Sequence, residues 1–214
     1  MKSLITDCIK LVVITLVAGI VLGGIYGITK EPIAQQEEKA KQAAYQAVFP
    51  DASEFTDVEG FEPGDAGDII ADYSNTVDDH EGDTFSEAVE AKDASGQVLG
   101  YIFNITTHKG YGGDIQLTVG IQADGTVNGY SVLSISETAG LGMNAKSNPD
   151  WQAQFASKKV DTFQVVKDGS GNMNAPAEDN GNIDAISGAT ITSKAVTGAM
   201  NSCLAYFQSL EGGN

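Results

Sequence analysis

The fold is decided in residues 114–135, which read DIQLTVGIQADGTVNGYSVLSI. In the first half, every second side chain from Ile115 to Ile121 is aliphatic, as in a strand with one apolar face. The dipeptide Asp124–Gly125 is typical of a tight hairpin, and residues 127–135 supply the returning strand. The stretch therefore predicts two antiparallel strands whose apolar face another element must cover.

More strands precede this hairpin, and a helix follows it at the C-terminus. Strand character begins at Thr84, breaks at a turn over residues 93–96 and resumes in a β-branched and aromatic run over residues 98–107. Near the C-terminus, apolar residues recur at helical spacing in one stripe: Val196, Ala199, Met200, Cys203, Leu204 and Phe207. Thr192 or Ser193 would cap this helix. The pattern predicts an α+β fold, with an antiparallel sheet packed with helices.

One segment near the N-terminus has the composition of a membrane anchor. Residues 11–28 read LVVITLVAGIVLGGIYGI without a charge, and as a helix they would rise about 27 Å, close to the thickness of a bilayer core. A cleaved signal peptide would have a shorter apolar region that ends in small residues, so an uncleaved transmembrane helix is favoured. Lysines flank both ends almost equally. The short N-terminal tail favours a single-pass protein of the cell (inner) membrane, with its C-terminal domain on the extracytoplasmic side.

The chain divides into three parts on this interpretation. Residues 1–29 hold the short tail and the anchor. Residues 30–80 form a helical stalk, which Pro32 opens in its first turn and Pro50 closes, and then an irregular acidic connection. Residues 81–214 form the extracytoplasmic domain, to which we assign the function.

Composition excludes several functions. The 29 acidic residues outnumber the 12 basic ones and give a net charge of −17, which argues against nucleic acid as a partner because phosphate backbones require a basic surface. The two cysteines and two histidines show no metal-ligand spacing, so no metal site is assigned. No nucleophile–base pair or paired-carboxylate site is recognisable, and no residue is assigned a catalytic role.

The sharpest candidate for a binding site is the run DAISGATITS over residues 184–193. Its small residues let the backbone approach a ligand closely, and Gly188 permits backbone angles that other residues avoid. The helix that follows offers unpaired N–H groups and the positive end of its dipole, which suit a phosphate with Thr190 as the nearest oxygen. On the residues alone, a capped tight turn explains the same run. The residues assigned to the site are Asp184, Ser187, Gly188, Ala189, Thr190, Ile191 and Thr192.

Two glycine-containing loops are further candidates. Residues 136–143 read SETAGLGM and leave the strand that ends near Ile135; two glycines around a leucine would let this loop lie flat against a planar ring. Residues 110–113 read GYGG, connect two strands and carry Tyr111. Each loop alone is compatible with an ordinary connection. Trp151, the only tryptophan, is interpreted as a core aromatic.

Taken together, residues 110–151 and the DAISGAT run resemble the FMN-binding domain of the G subunit of Rnf-type electron transport complexes. The C subunit of sodium-pumping NADH:quinone oxidoreductase is similar. The resemblance extends to the anchor, to the order of strands and loops and to the C-terminal helix, which is nearly the whole chain. The flavinylation signal of the family reads D-x-x-S/T-G-A-T/S, and residues 184–190 match it throughout.

The resemblance implies that a dedicated flavin transferase joins the phosphate of FMN covalently to Thr190. It also implies that the E-T-P-G-L-G loop of the family lies near the flavin. The residues expected there are Glu137, Thr138, Gly140, Leu141 and Gly142, together with Tyr111 of the preceding loop. Ala139 stands where the family usually has proline, and Ile135 stands where a histidine is frequent. The loop is therefore expected to be less rigid, and no role of that histidine carries over.

The function implied is that of an electron-carrying subunit. With other subunits of a membrane redox complex, it would couple electron transfer between ferredoxin and NAD to the translocation of Na⁺ or H⁺. Two alternatives stay open: the FMN subunit of a sodium-pumping NADH:quinone oxidoreductase, and a membrane-anchored binding module without a cofactor. For the second, residues 168–172 superficially resemble the start of a calcium loop, but Met173 stands at the sixth position in place of glycine, and Asp179 stands at the twelfth in place of glutamate.

Overall fold

The computed structural model describes residues 2–66, 82–171 and 180–212, and the chain separates into two compact units, Met1–Gln42 and Ala43–Asn214. Helix α1 (Lys2–Val48) is long and apolar enough to cross a membrane, and its most apolar stretch is fully exposed. Pro32 lies inside α1, so the prediction that it opens a separate stalk helix is wrong. A proline removes one backbone hydrogen bond from a helix. The residues on both sides of Pro32 have high helix propensity, so the helix continues through it.

A six-stranded antiparallel sheet forms the centre of the second unit. Its strands are β1 (Glu54–Asp57), β2 (Gly64–Asp65), β3 (Asp83–Lys92), β4 (Val98–Thr107), β5 (Ile115–Gln122) and β6 (Val127–Ile135). They lie in the order β1-β3-β4-β5-β6, and β2 also pairs with β3. The predicted meander and α+β fold class are confirmed.

Two short strands occupy part of the stretch that was predicted to be an irregular acidic connection. That prediction is wrong for β1, which pairs with the end of β3, and for β2, which pairs with its start. Both strands are too short to show an alternating pattern, and the long β3 supplies the hydrogen bonds that order them. Residues 67–81 of the connection lie outside the described residues, and the division of the chain at residues 29/30 and 80/81 stays a prediction.

The remaining elements lie mostly on one face of the sheet. They are α2 (Asn144–Ser147), α3 (Pro149–Ala153), β7 (Gln164–Val166), β8 (Asn182–Asp184) and α4 (Thr190–Gly212), where β7 and β8 form a small parallel pair. The predicted stripe of α4 is buried throughout and joins the alternating side chains of β5, from Ile115 to Ile121, in one apolar core. The C-terminal helix is therefore the predicted cover of the sheet.

The opposite face of the sheet is covered by the end of α1, which the sequence did not predict. Tyr45, Val48 and Phe49 pack there in a second apolar cluster, and we call this contact the α1 junction. Gly120 of β5 makes the contact possible, because a Cβ atom there would lie 2.8 Å from the Cβ of Val48. Both faces of the central strands are therefore buried, which explains why Thr118 has no access to solvent.

A closed set of polar side chains lies beneath this junction. Tyr45 Oη donates to Glu87 Oε2 at 2.6 Å, and Asn104 Nδ2 donates to both of these oxygen atoms at 2.7 and 2.8 Å. Thr118 Oγ1 donates to Asn104 Oδ1 at 2.6 Å. Each buried polar group at the α1 junction thus has a partner within the chain, as burial requires.

Candidate functional site

A cavity of about 500 Å³ opens where three segments of the second unit meet. They are the loop after β4, the loop after β6 and the first turn of α4. The cavity is lined by Tyr111, Glu137, Thr138, Leu141, Gly142, Gly188, Ala189, Thr190, Ile191 and Thr192. Its volume is within the range of small-molecule and cofactor sites.

All ten residues that line this cavity were assigned to the site from the sequence. The structure thus brings together segments that are about 80 residues apart in the chain. Three assigned residues do not line the cavity: Asp184, Ser187 and Gly140. Ser187 is exposed, and Gly140 has a φ of 75° in the turn of its loop, which favours glycine.

Asp184 has a structural position behind the cavity. Its backbone N–H donates to Gln154 Oε1 at 2.7 Å, and its carbonyl oxygen accepts from Trp151 Nε1 at 2.7 Å. Its carboxylate accepts from the backbone N–H of Gly171 at 3.2 Å. Trp151 is buried, as expected of a core aromatic. Asp184 therefore fixes the start of the run that leads to Thr190, a support that sequence reasoning did not find.

The first turn of α4 differs from the prediction. Thr192 and Ser193 lie inside the helix, which begins at Thr190, so the predicted cap is wrong. The Ser193 hydroxyl accepts from the backbone N–H of Ile186 at 2.9 Å and donates to the Ala189 carbonyl at 3.0 Å. The side chain thus ties the helix back to the preceding turn and cannot cap it.

Three backbone N–H groups remain free at the start of α4. Within the described residues, no hydrogen bond is formed by the N–H groups of Thr190, Ile191 and Thr192, while Ser193 N is the first to bond, to Ala189 O at 3.0 Å. Free N–H groups and the positive end of the helix dipole together favour an anion. Thr190 is half-buried at this position, with its side chain on the cavity wall.

Glu137 joins the two loops of the cavity. Its side chain is buried and its Oε1 accepts from the backbone N–H of Gly112 at 3.1 Å. A Cβ atom on Gly142 would lie 2.5 Å from Glu137 Oε2 and 2.6 Å from Thr192 Oγ1. The second glycine of the ETAGLG loop is therefore required by close packing against both groups.

Two features of the wall fit a phosphorylated ligand with a planar ring. The Thr192 hydroxyl is buried, with 1% of the residue exposed, and has no hydrogen-bond partner among the described residues. Outside α1, the large apolar side chains exposed in the described residues are Tyr111 (73%), Leu141 (42%) and Ile191 (53%), and all three line the cavity. An unpartnered buried hydroxyl and an exposed apolar wall are both unfavourable unless a ligand covers them.

Comparison with known proteins identifies the family of the domain that contains this cavity. Residues 110–205 match the FMN-binding domain family, and they include all ten residues of the cavity wall. Over 212 residues the chain is 32% identical to the G subunit of the ion-translocating oxidoreductase complex of Methanosarcina acetivorans, covering 99% of this chain and 98% of the relative. The chain belongs to this family of G subunits. The match confirms the resemblance drawn from the sequence, and the apolar part of α1 is accordingly a membrane anchor.

Two further relatives of this family differ in the ion that their names specify. The G subunit of the proton-translocating ferredoxin:NAD(+) oxidoreductase complex of Clostridium ljungdahlii is 30% identical over 204 residues, covering 95% of this chain and 91% of the relative. That of the Na(+)-translocating complex of Acetobacterium woodii is 30% identical over 200 residues, covering 94% and 89%. The family therefore does not by itself specify the ion. The match favours a G subunit over a binding module without a cofactor. The calcium-like loop considered for that module lies outside the described residues from residue 172 onward.

Proposed function

We propose that this G subunit carries FMN covalently on Thr190 and relays electrons within an ion-translocating complex. The observation that carries the proposal is the position of Thr190. It lies on the wall of a cavity at the amino end of α4, next to a buried hydroxyl that has no hydrogen-bond partner among the described residues, in a domain of the FMN-binding family. FMN, when bound, supplies one- and two-electron transfers, and the residues of the chain supply retention and position.

The covalent step requires an activated flavin nucleotide and a dedicated flavin transferase. The hydroxyl oxygen of Thr190 attacks the flavin-side phosphorus of a phosphoric anhydride. A Thr190 O–P bond forms, the anhydride P–O bond breaks, and the other phosphate leaves with the electrons of that bond. The hydroxyl proton passes to a base of the transferase. Attachment through the phosphate leaves the ring system unaltered, so the bond serves retention.

The residues around Thr190 have distinct roles in this proposal. The free N–H groups of the first turn of α4 and the Thr192 hydroxyl donate to the phosphate oxygens, where no other described group competes for them. The apolar side chains of Tyr111, Leu141 and Ile191 contact the planar ring and exclude water from it. Glu137 holds the two loops in place through Gly112.

The proposed partners follow from the anchor and the relatives. The chain would assemble with the other membrane subunits of a complex that passes electrons between ferredoxin and NAD, coupled to H⁺ or Na⁺ translocation. We place the flavin domain on the extracytoplasmic side. FMN that dissociated there would be lost, and a covalent bond prevents this loss. Protease digestion of intact cells tests this side: an extracytoplasmic domain is cut, and a domain that is protected until lysis contradicts the assignment.

Flavin fluorescence on a denaturing gel tests the covalent bond. Full-length protein expressed with a flavin transferase is expected to give a fluorescent band, because only covalently attached flavin survives denaturation. Thr190→Val is expected to lose the band, whereas Thr192→Val, which removes a neighbouring hydroxyl, is expected to keep it. A fluorescent Thr190→Val protein, or a dark wild-type protein, would refute the proposal.

A further inference from the structure

We infer that Lys194 supplies the positive charge that balances the phosphate on Thr190, which makes it a positioning residue for flavin attachment. The inference rests on the proposed covalent site at Thr190. All 12 basic residues of the chain are lysines, so it has no arginine with which to bind a phosphate. Lys194 is the one lysine of α4. Lys194 was not assigned to the site from the sequence, although the sequence places it four residues after Thr190.

Helix geometry directs Lys194 towards the site. Four residues beyond Thr190, it lies one turn along the helix and about 40° around its axis, between the directions of Thr190 and Ile191. Side chains in a helix tilt towards its N-terminus, so the long side chain of Lys194 extends back over the first turn. Lys194 does not itself line the cavity, so its ammonium group would meet a phosphate on Thr190 by extending back over the first turn.

Lys194 is also available for a ligand. It is exposed and forms no hydrogen bond or ion pair with a described residue. Other lysines of the same unit are engaged: Lys92 pairs with Glu90 at 2.7 Å, and Lys109 lies 3.8 Å from buried Asp83. The unpartnered Thr192 hydroxyl marks the adjoining wall independently as a place for a ligand.

The positive charge of Lys194 would offset the repulsion between the phosphate and the acidic protein. A phosphodiester keeps one negative charge, and this chain has a net charge of −17. A further anion is therefore repelled by the protein as a whole. Partial charges of the helix end offset that repulsion only within the first turn, and an ammonium group adds a full positive charge beside it.

The test compares full-length proteins in detergent that differ at one lysine. Wild type, Lys194→Gln, Lys194→Arg and Lys167→Gln are treated with the transferase, and the initial rate of covalent flavin incorporation is measured. Lys167 is a matched control, since it is exposed like Lys194 but follows β7 and does not belong to α4. Lys194→Gln is expected to be about two- to fivefold slower, the factor that an exposed ion pair provides, whereas Lys194→Arg and Lys167→Gln retain the wild-type rate. The ³¹P resonance of the fully loaded protein is expected to shift in Lys194→Gln alone.

The outcomes separate this inference from the covalent site itself. A wild-type protein that takes up no flavin refutes the proposed function and this inference with it. A loaded wild type together with a Lys194→Gln protein of unchanged rate and unchanged ³¹P resonance overturns the inference and leaves Thr190 in place. A slower rate with an unchanged resonance also overturns it, because Lys194 would then act on the transferase and not on the phosphate.

Discussion

The α1 junction and the cavity at α4 are both built on the same sheet, but they differ in how completely the chain satisfies them. At the junction, Tyr45 and Asn104 have partners for their polar atoms, and apolar side chains fill the space that Gly120 leaves open. At the cavity, the Thr192 hydroxyl has no partner among the described residues, and Tyr111 is largely exposed. The chain alone satisfies the polar groups of the junction, whereas the open groups of the cavity are available to the flavin that we propose.

This difference separates stability from flavin binding. Substitutions at the junction should lower the free energy of unfolding and leave flavin content unchanged. Substitutions at the cavity should alter the attachment or the surroundings of the flavin and should not lower the free energy of unfolding of the unloaded protein. The chain offers two probes of unfolding of the unloaded protein: fluorescence of the buried Trp151 and chemical labelling of Cys203. Burial, and then nearby Asp83, raise the pKa of the Cys203 thiol, so it stays protonated and unreactive until the domain unfolds.

The largest effect on stability is expected at the centre of the junction. Asn104→Ala removes three hydrogen bonds and leaves the buried Thr118 hydroxyl without its acceptor, so we expect a loss of about 3 kcal/mol in the free energy of unfolding. Denaturant unfolding with the Trp151 and Cys203 probes measures the loss. Gel fluorescence of the loaded variant should equal that of wild type. A variant that folds normally but takes up less flavin would contradict the separation of the two regions.

A second substitution tests the close packing at the junction. Gly120→Ala places a methyl group 2.8 Å from Val48 Cβ and 3.2 Å from Phe49 Cε2. Overpacking of this kind is expected to cost about 2 kcal/mol. Val48→Ala makes room for that methyl group, so the double variant should regain part of the loss. Additive losses in the double variant would show that Gly120 has another role.

A pair of threonines on α4 sharpens the comparison further. Thr192 and Thr197 both have buried hydroxyls without a partner in the described residues, but only Thr192 lines the cavity. Replacement of either residue by valine should stabilise the unloaded protein by about 1 kcal/mol, because an unsatisfied polar group is removed. Flavin attachment should then stabilise wild type and Thr197→Val more than it stabilises Thr192→Val. Equal stabilisation of all three proteins would mean that the Thr192 hydroxyl does not meet the phosphate.

The smallest effect on stability is expected at the exposed wall. Tyr111→Ser removes an exposed side chain and should change the free energy of unfolding by less than about 0.5 kcal/mol. The attached flavin should nevertheless become more accessible, which iodide quenching of its fluorescence measures. Tyr26→Ser, in the apolar helix, is the matched control and should leave quenching unchanged. Unchanged quenching in Tyr111→Ser would remove that residue from the ring site.

Much of this structure could be predicted because its signals are local. Strand β5 and the buried stripe of α4 follow from periodicity, and β4 follows from its β-branched and aromatic residues. The dipeptide Asp124–Gly125 predicts the turn that leads from β5 into β6. The α1 junction could not be predicted in this way. A helix that carries an apolar anchor gives no sign that its last turn packs on a sheet, and Gly100 and Gly120 resemble ordinary strand glycines until Phe49 and Val48 are seen against them.

The cavity shows the same division between local and distant information. The DAISGAT run and the ETAGLG loop were assigned from sequence because each is a compact motif. The contacts that hold each of them in place come from other parts of the chain: Gly112 of the loop after β4 bonds to Glu137, and Trp151 of α3 bonds to Asp184. Only the structure therefore shows that Asp184 supports the site and does not line the cavity.

Mass analysis of Thr190 in protein from its native membrane tests the central claim most directly. The peptide that contains residues 184–194 should carry FMN joined with loss of water, and fragmentation should place it on Thr190. An unmodified Thr190 in protein isolated from the assembled, electron-transferring complex, or flavin on Thr192 in its place, would contradict the proposed attachment.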